Sequence, residues 1–278
     1  MIDSRNNTVK RHALSYIVAT LTITYLCWLS FLYAHFKTGV EVFGDSPLGI
    51  LMVIGLFSPT LMGVAFSIKE EGMVLNRPTA NQIKGFFTYM PLAILLPFAF
   101  VLLDVGQDAP NVVERLGAFS KTPIKSVLSA FALSIVFGGL EELGWRGYLL
   151  PRLLTWLSPL KATLLISVIW AVWHIPLFFL PGAAQYQNNF LVFFMGTVTL
   201  SAIMTFLWIK TRSTLLAILT HTTFNAMAVL GYVSGSNADI TISHLATSTS
   251  IALVSIALLN SLFYKGLKRR KSGESYSD

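Results

Sequence analysis

Residues 124–150 read IKSVLSAFALSIVFGGLEELGWRGYLL. The stretch is long enough to cross the hydrocarbon core of a bilayer as a helix, which takes about 20 apolar residues. It lacks the polar face at 3.6-residue spacing that a soluble surface helix shows. Yet Glu141, Glu142 and Arg146 sit well inside its apolar run. Ionisable groups are costly in a bilayer, so they tend to be functional and to face protein or water. The stretch thus predicts both a membrane span and a charged site within it. It begins after Thr122-Pro123 and meets Pro151. One long tilted helix and a shorter helix followed by an interfacial one fit equally, which leaves the depth of the two glutamates open.

Working outward, seven more apolar blocks lie at 14–36, 47–68, 86–106, 161–180, 190–209, 214–233 and 247–264. The expected fold is therefore all-α, a polytopic membrane bundle of about eight transmembrane helices. Composition agrees: 54% of the 278 residues are hydrophobic and 12% charged, against about 25% charged in soluble domains. The formal charge of +7 does not indicate nucleic acid, because the cations occupy short loops between apolar blocks rather than one soluble face. With the N-terminus in the cytoplasm, sixteen of the twenty lysines and arginines fall on that side; only Lys37, Arg115, Lys121 and Lys125 fall on the other. This bias predicts an even number of spans with both termini cytoplasmic. The organisation expected is a cytoplasmic segment at 1–13, a transmembrane domain at 14–264 with its motif core at 124–233, and a basic tail at 265–278 that works as a stop-transfer cluster. The first block is too long for a signal-peptide core and is read as a retained helix. The single cysteine, Cys27, allows no intrachain disulfide.

The ionisable residues inside spans are few. Glu141 and Glu142 are the only acids well within an apolar run; Asp104 lies at a span end. Among five histidines, His174 and His221 lie inside spans, and Asn225 shares a span with His221. Glu142 and Arg146 are four apart, so they share a helix face and can pair. Glu141 then points about 100° away, toward a partner helix. His221 and Asn225 share a face by the same spacing, as do Trp170 and His174. Three helices each offer one polar face to a common interior. A carboxylate there can act as general base, a neutral histidine can hold the same water, and a second histidine with an asparagine can donate to a developing oxyanion. Alternatively, Glu141, His174 and His221 could hold Zn²⁺ with one position open for water. Residue types alone do not separate the two schemes, although no His-Glu-x-x-His lies on one face.

Glu141-Glu142-Leu-Gly-Trp-Arg146, Trp170-x-x-x-His174 and His221-x-x-x-Asn225 resemble, in this order, the Glu-Glu-x-x-x-Arg, Phe-x-x-x-His and His-x-x-x-Asn/Asp motifs of the CAAX-protease and bacteriocin-processing family, also called the Abi family. The resemblance implies an intramembrane endopeptidase with eight helices and a cavity open to the cytoplasm and the bilayer. Eukaryotic members remove the last three residues of prenylated CAAX proteins; many bacterial members are tied to peptide export or bacteriocin self-immunity. By motif position, Glu141 is the implied base, His174 helps activate water, His221 and Asn225 stabilise the oxyanion, and Glu142 and Arg146 organise the site. The family is labelled metalloprotease, and a metal-free, glutamate-dependent mechanism is also argued for it. The implied partners are a peptide or lipidated protein substrate and the lipid bilayer of a bacterial plasma membrane, with no nucleic acid. Trp170 departs from the pattern, which has Phe, but remains aromatic.

Two other classes compete with the enzyme. A membrane immunity protein that sequesters a peptide would keep the fold without needing the full glutamate, histidine and asparagine set. A small transporter would show repeat symmetry and matched broken helices in two halves, whereas the polar residues here cluster in the second half only. Glu142 with Arg146 could also be a purely structural pair, and single histidines in membranes often serve helix–helix hydrogen bonding. The aromatics, Trp145 and Trp173 among them, read mostly as packing and interface residues.

Overall fold

The computed structural model describes residues 2–41, 45–71, 79–103, 112–230, 247, 249–257 and 261, and no strand occurs among them. Helices α1 (Ile2–Thr38), α2 (Gly49–Glu71) and α3 (Ala80–Leu103) are followed by the short α4 (Val112–Ser120) and by α5 (Ile124–Val136). The chain then passes through a 3₁₀ turn at Gly139–Glu141, a wide π-type turn at Leu143–Leu149 and the one-turn α6 (Leu150–Leu153). Helix α7 (Pro159–Trp173), a 3₁₀ turn at Ile175–Phe179, α8 (Phe190–Thr211) and α9 (Thr214–Val229) complete the described core.

Six stretches among the described residues are long and apolar enough to cross a membrane, with α9 as a shorter apolar helix. The protein is a polytopic helical membrane bundle. Its outer face carries large apolar side chains: Leu26 is 65% exposed and Phe36 68%. Such surfaces would drive aggregation in water and suit contact with lipid. The final expected span, 247–264, is helical over 249–257. Residues 248, 258–260 and 262–264 of that span, the basic tail, Asp104 and His244 lie outside the described residues.

Three differences from the sequence reading have physical causes. Helix α1 does not begin near residue 14 but runs from Ile2, because residues 2–13 contain neither glycine nor proline to stop it. Helix α4 lies between the third and fourth apolar blocks, where no helix is expected. The span expected at 124–150 is not one regular α-helix but a shorter helix followed by further helical turns. It breaks after Val136 and continues in tighter and wider turns that carry both glutamates.

Packing explains where the break is held. Thr60 of α2 donates its hydroxyl to the Leu140 carbonyl at 2.6 Å, and Tyr16 of α1 donates to the Pro59 carbonyl at 3.2 Å. Helix α2 therefore grips the motif segment through a backbone carbonyl and is itself tied to α1. The fit needs Gly144: a Cβ there would overlap the Pro59 carbonyl and the Tyr16 hydroxyl. Around it pack Tyr16, Trp28, Trp145, Tyr148 and Trp173, all buried. At one end of the bundle Glu70 of α2 accepts from Tyr148 and from Arg152 at 2.8 Å, and His12 Nδ1 lies 3.1 Å from it. This joins α1, α2 and the segment that follows the motif. Because the neighbours at Gly144 are largely backbone, Gly144→Ala should destabilise the protein by about 1–3 kcal/mol. The measurement is the thermal midpoint of the detergent-solubilised protein; an unchanged midpoint would mean that α1 and α2 can part freely from the motif segment.

Candidate active site

The break after α5 turns two adjacent carboxylates in different directions. Glu142 is completely buried and faces two cationic or ionisable partners. Arg146 Nη1 donates to both of its oxygens, at 3.0 and 2.8 Å, and His221 Nδ1 lies 2.9 Å from Oε1. Arg146 is also fully buried, and its Nη2 donates to the Ser201 hydroxyl of α8 at 2.7 Å. A guanidinium only donates, so both Glu142 oxygens accept from Arg146 Nη1. His221 Nδ1 must therefore carry the hydrogen, and a neutral His221 presents Nε2 as a lone pair.

Glu141 points to α7 instead. Its Oε2 accepts from Trp170 Nε1 at 3.0 Å. The other oxygen has no hydrogen bond from the protein among the described residues. Trp145 turns its buried indole N–H toward the same carboxylate without reaching hydrogen-bonding geometry. His174 caps α7, and its Nδ1 lies 2.8 Å from the Trp170 carbonyl. A carbonyl only accepts, so His174 also carries its hydrogen on Nδ1 and offers Nε2 as a lone pair. Its ring stands edge-on to Trp173, with centroids 4.5 Å apart, and to Phe193 at 4.9 Å. Trp173 is in turn fastened through its indole N–H to the Thr24 hydroxyl of α1 at 2.7 Å.

Asn225 lies one turn along α9 from His221 and is partly buried. Gly138 fits against both: a Cβ on it would overlap the Asn225 amide and stand 3.2 Å from His221 Nε2. All six residues singled out in the sequence thus border one interior region, shared by the broken segment, α7 and α9. Ser201, Thr60 and Thr24 were not singled out. They are lone hydroxyls among many in apolar helices, and nothing local marks them.

Glu141, His174 and His221 are the candidate ligands of the alternative zinc scheme. No three His, Cys, Asp or Glu side chains are disposed to hold one ion among the described residues. Each of the three candidates contacts Trp170, through its indole N–H, its carbonyl or its ring.

A family model described as type II CAAX prenyl endopeptidase Rce1-like matches residues 123–227, a range that holds all six site residues. A curated CAAX prenyl protease 2 from Methanococcus maripaludis is 29% identical, over 76% of this chain and 81% of its own length. Over its motif core the chain is thus similar to the type II CAAX prenyl endopeptidases, which supports the likeness to the CAAX-protease and bacteriocin-processing family. The similarity, with the apolar helices, supports a multi-pass membrane endopeptidase. The match to a peptidase family does not favour the sequestering immunity protein, and the transporter has no support in it.

Proposed function

We propose that this CAAX-protease-like membrane endopeptidase cleaves a lipidated peptide at the bilayer by a metal-free route, with Glu141 as general base. The reading rests on one observation: of two adjacent buried carboxylates, Glu142 is taken up by Arg146 and His221, while Glu141 keeps an oxygen without a protein hydrogen bond. That oxygen suits a water molecule. His174, with its lone pair on Nε2, can accept the second hydrogen bond of the same water and so aim it. Glu141 takes one proton as the water oxygen bonds to the scissile carbonyl carbon. The carbonyl oxygen becomes an oxyanion, to which the Asn225 amide donates. His221 can donate from Nε2 only as imidazolium, since Nδ1 already serves Glu142. With it protonated, two carboxylates, one guanidinium and one imidazolium sum to zero charge in a low-dielectric interior. The proton on Glu141 then passes to the leaving amine as the C–N bond breaks.

The lipidated substrate follows the name of the archaeal relative, a CAAX prenyl protease, and the apolar surroundings favour a lipid-bearing peptide over a polar one. With both termini on the cytoplasmic side of a plasma membrane, as the charge bias expects, the peptide would come from the cytoplasm. The test is a quenched fluorogenic prenylated CAAX peptide and the detergent-purified protein, with and without a zinc chelator. Cleavage unaffected by the chelator is the expected result. Cleavage abolished by the chelator and restored by zinc would replace the metal-free route with a metal-dependent one.

A further inference from the structure

Trp170 touches four of the six site residues. Its indole N–H donates to Glu141 at 3.0 Å and its carbonyl accepts from His174 at 2.8 Å. The Arg146 guanidinium lies over its ring, 5.2 Å from the centroid, and the His221 ring meets it edge-on at 5.0 Å. The side chain is 3% exposed, so water does not compete for the indole N–H.

We infer that Trp170 is a positioning residue for the base: its indole N–H fixes the Glu141 carboxylate with one oxygen occupied and the other turned to the reacting water. The inference rests on the role proposed for Glu141. Three of the four contacts need only an aromatic ring or the backbone, and phenylalanine keeps them. The N–H to Glu141 is what a tryptophan adds here, and the motif pattern quoted above has Phe at this position. Among the described residues only the Trp170 N–H reaches this buried carboxylate at hydrogen-bonding geometry, so its rotamer has few other holds. Without that donor it can swing, and the distance to the attacking water is then no longer set. Misplacement of a catalytic group acts on the chemical step rather than on substrate binding.

Trp170→Phe isolates the N–H. The expected result is a fall in kcat of about tenfold, typical for one hydrogen bond to a charged acceptor, with KM within about twofold and the thermal midpoint unchanged. Trp156→Phe, at a partly exposed tryptophan away from the site, should leave both constants as in wild type. A second readout does not depend on turnover. The chain has six tryptophans, so ¹⁵N-indole labelling gives a sparse spectrum in which the Trp170 signal is assigned by its loss in Trp170→Phe. In Glu141→Gln that signal should move upfield, because a neutral amide oxygen is a weaker acceptor than a carboxylate. A Trp170 signal that does not move overturns the inference, and so does a Trp170→Phe enzyme with wild-type kcat. If wild type does not cleave the peptide, the proposed substrate fails, and the indole signal alone decides whether Trp170 holds Glu141.

Discussion

Glu141→Gln is expected to insert and fold as wild type does and to cleave about 10²–10⁴-fold more slowly, the range over which a general base contributes. Glutamine keeps the size of the side chain and an oxygen that can still accept from Trp170 Nε1, so the local packing has no reason to change. What it loses is the ability to take a proton from water. The same change at the neighbouring position should behave differently. Glu142→Gln removes charge from a fully buried cluster with Arg146 and His221 and should cost stability as well as activity. His174→Ala removes the second contact to water and should also abolish cleavage while leaving the bundle intact. Initial rates with the fluorogenic peptide, beside thermal midpoints of the same preparations, separate the cases. Wild-type-like cleavage by Glu141→Gln or His174→Ala would sink the proposed site, whatever the substrate.

The bundle was readable because lipid-facing helices are apolar on most sides, and that property survives without knowledge of any contact. The broken motif segment was not. Gly138 and Gly139 stand at the break, but a glycine costs a helix only about 1 kcal/mol. Tertiary bonds such as Thr60 to the Leu140 carbonyl decide whether that cost is met by bending. The start of α1 was missed for the opposite reason: residues 2–13 are polar, and polarity marks where a helix leaves apolar surroundings, not where it ends.

Within the site, local spacing carried one pair. The four-residue interval predicted that Glu142 and Arg146 meet, and they do, at 2.8 Å. The interval worked although the turn there is wider than an α-turn, because a long guanidinium tolerates the difference. Contacts between helices could not be read this way. His221 was expected to face an oxyanion, and its Nδ1 is found on Glu142; only the packing of α9 against the break brings the two together. Trp170 was read through its ring, yet its indole N–H and its carbonyl are what reach Glu141 and His174.

The largest loss of stability is expected from Arg146→Met. Arg146 and Glu142 are both fully buried, and removing one partner of a buried pair leaves an uncompensated charge at a cost of about 3–5 kcal/mol. The Ser201 hydroxyl loses its donor, and the stacked contact on Trp170 loses its charge. The thermal midpoint in detergent should fall by on the order of 10 °C. Arg146→Lys should recover part of this, since an ammonium keeps the charge but cannot reach both Glu142 oxygens and Ser201 at once. The informative variant is the double substitution Glu142→Leu with Arg146→Met. Replacing a whole buried ion pair by apolar side chains of similar volume is often neutral for stability, so its midpoint should return toward wild type. Cleavage should not return, because His221 then has nothing to hold its Nδ1 hydrogen and its ring is free to turn. Recovery of both stability and cleavage in the double variant would mean that the pair only lets the segment sit in the membrane. Recovery of stability alone would separate its structural cost from its role in orienting His221.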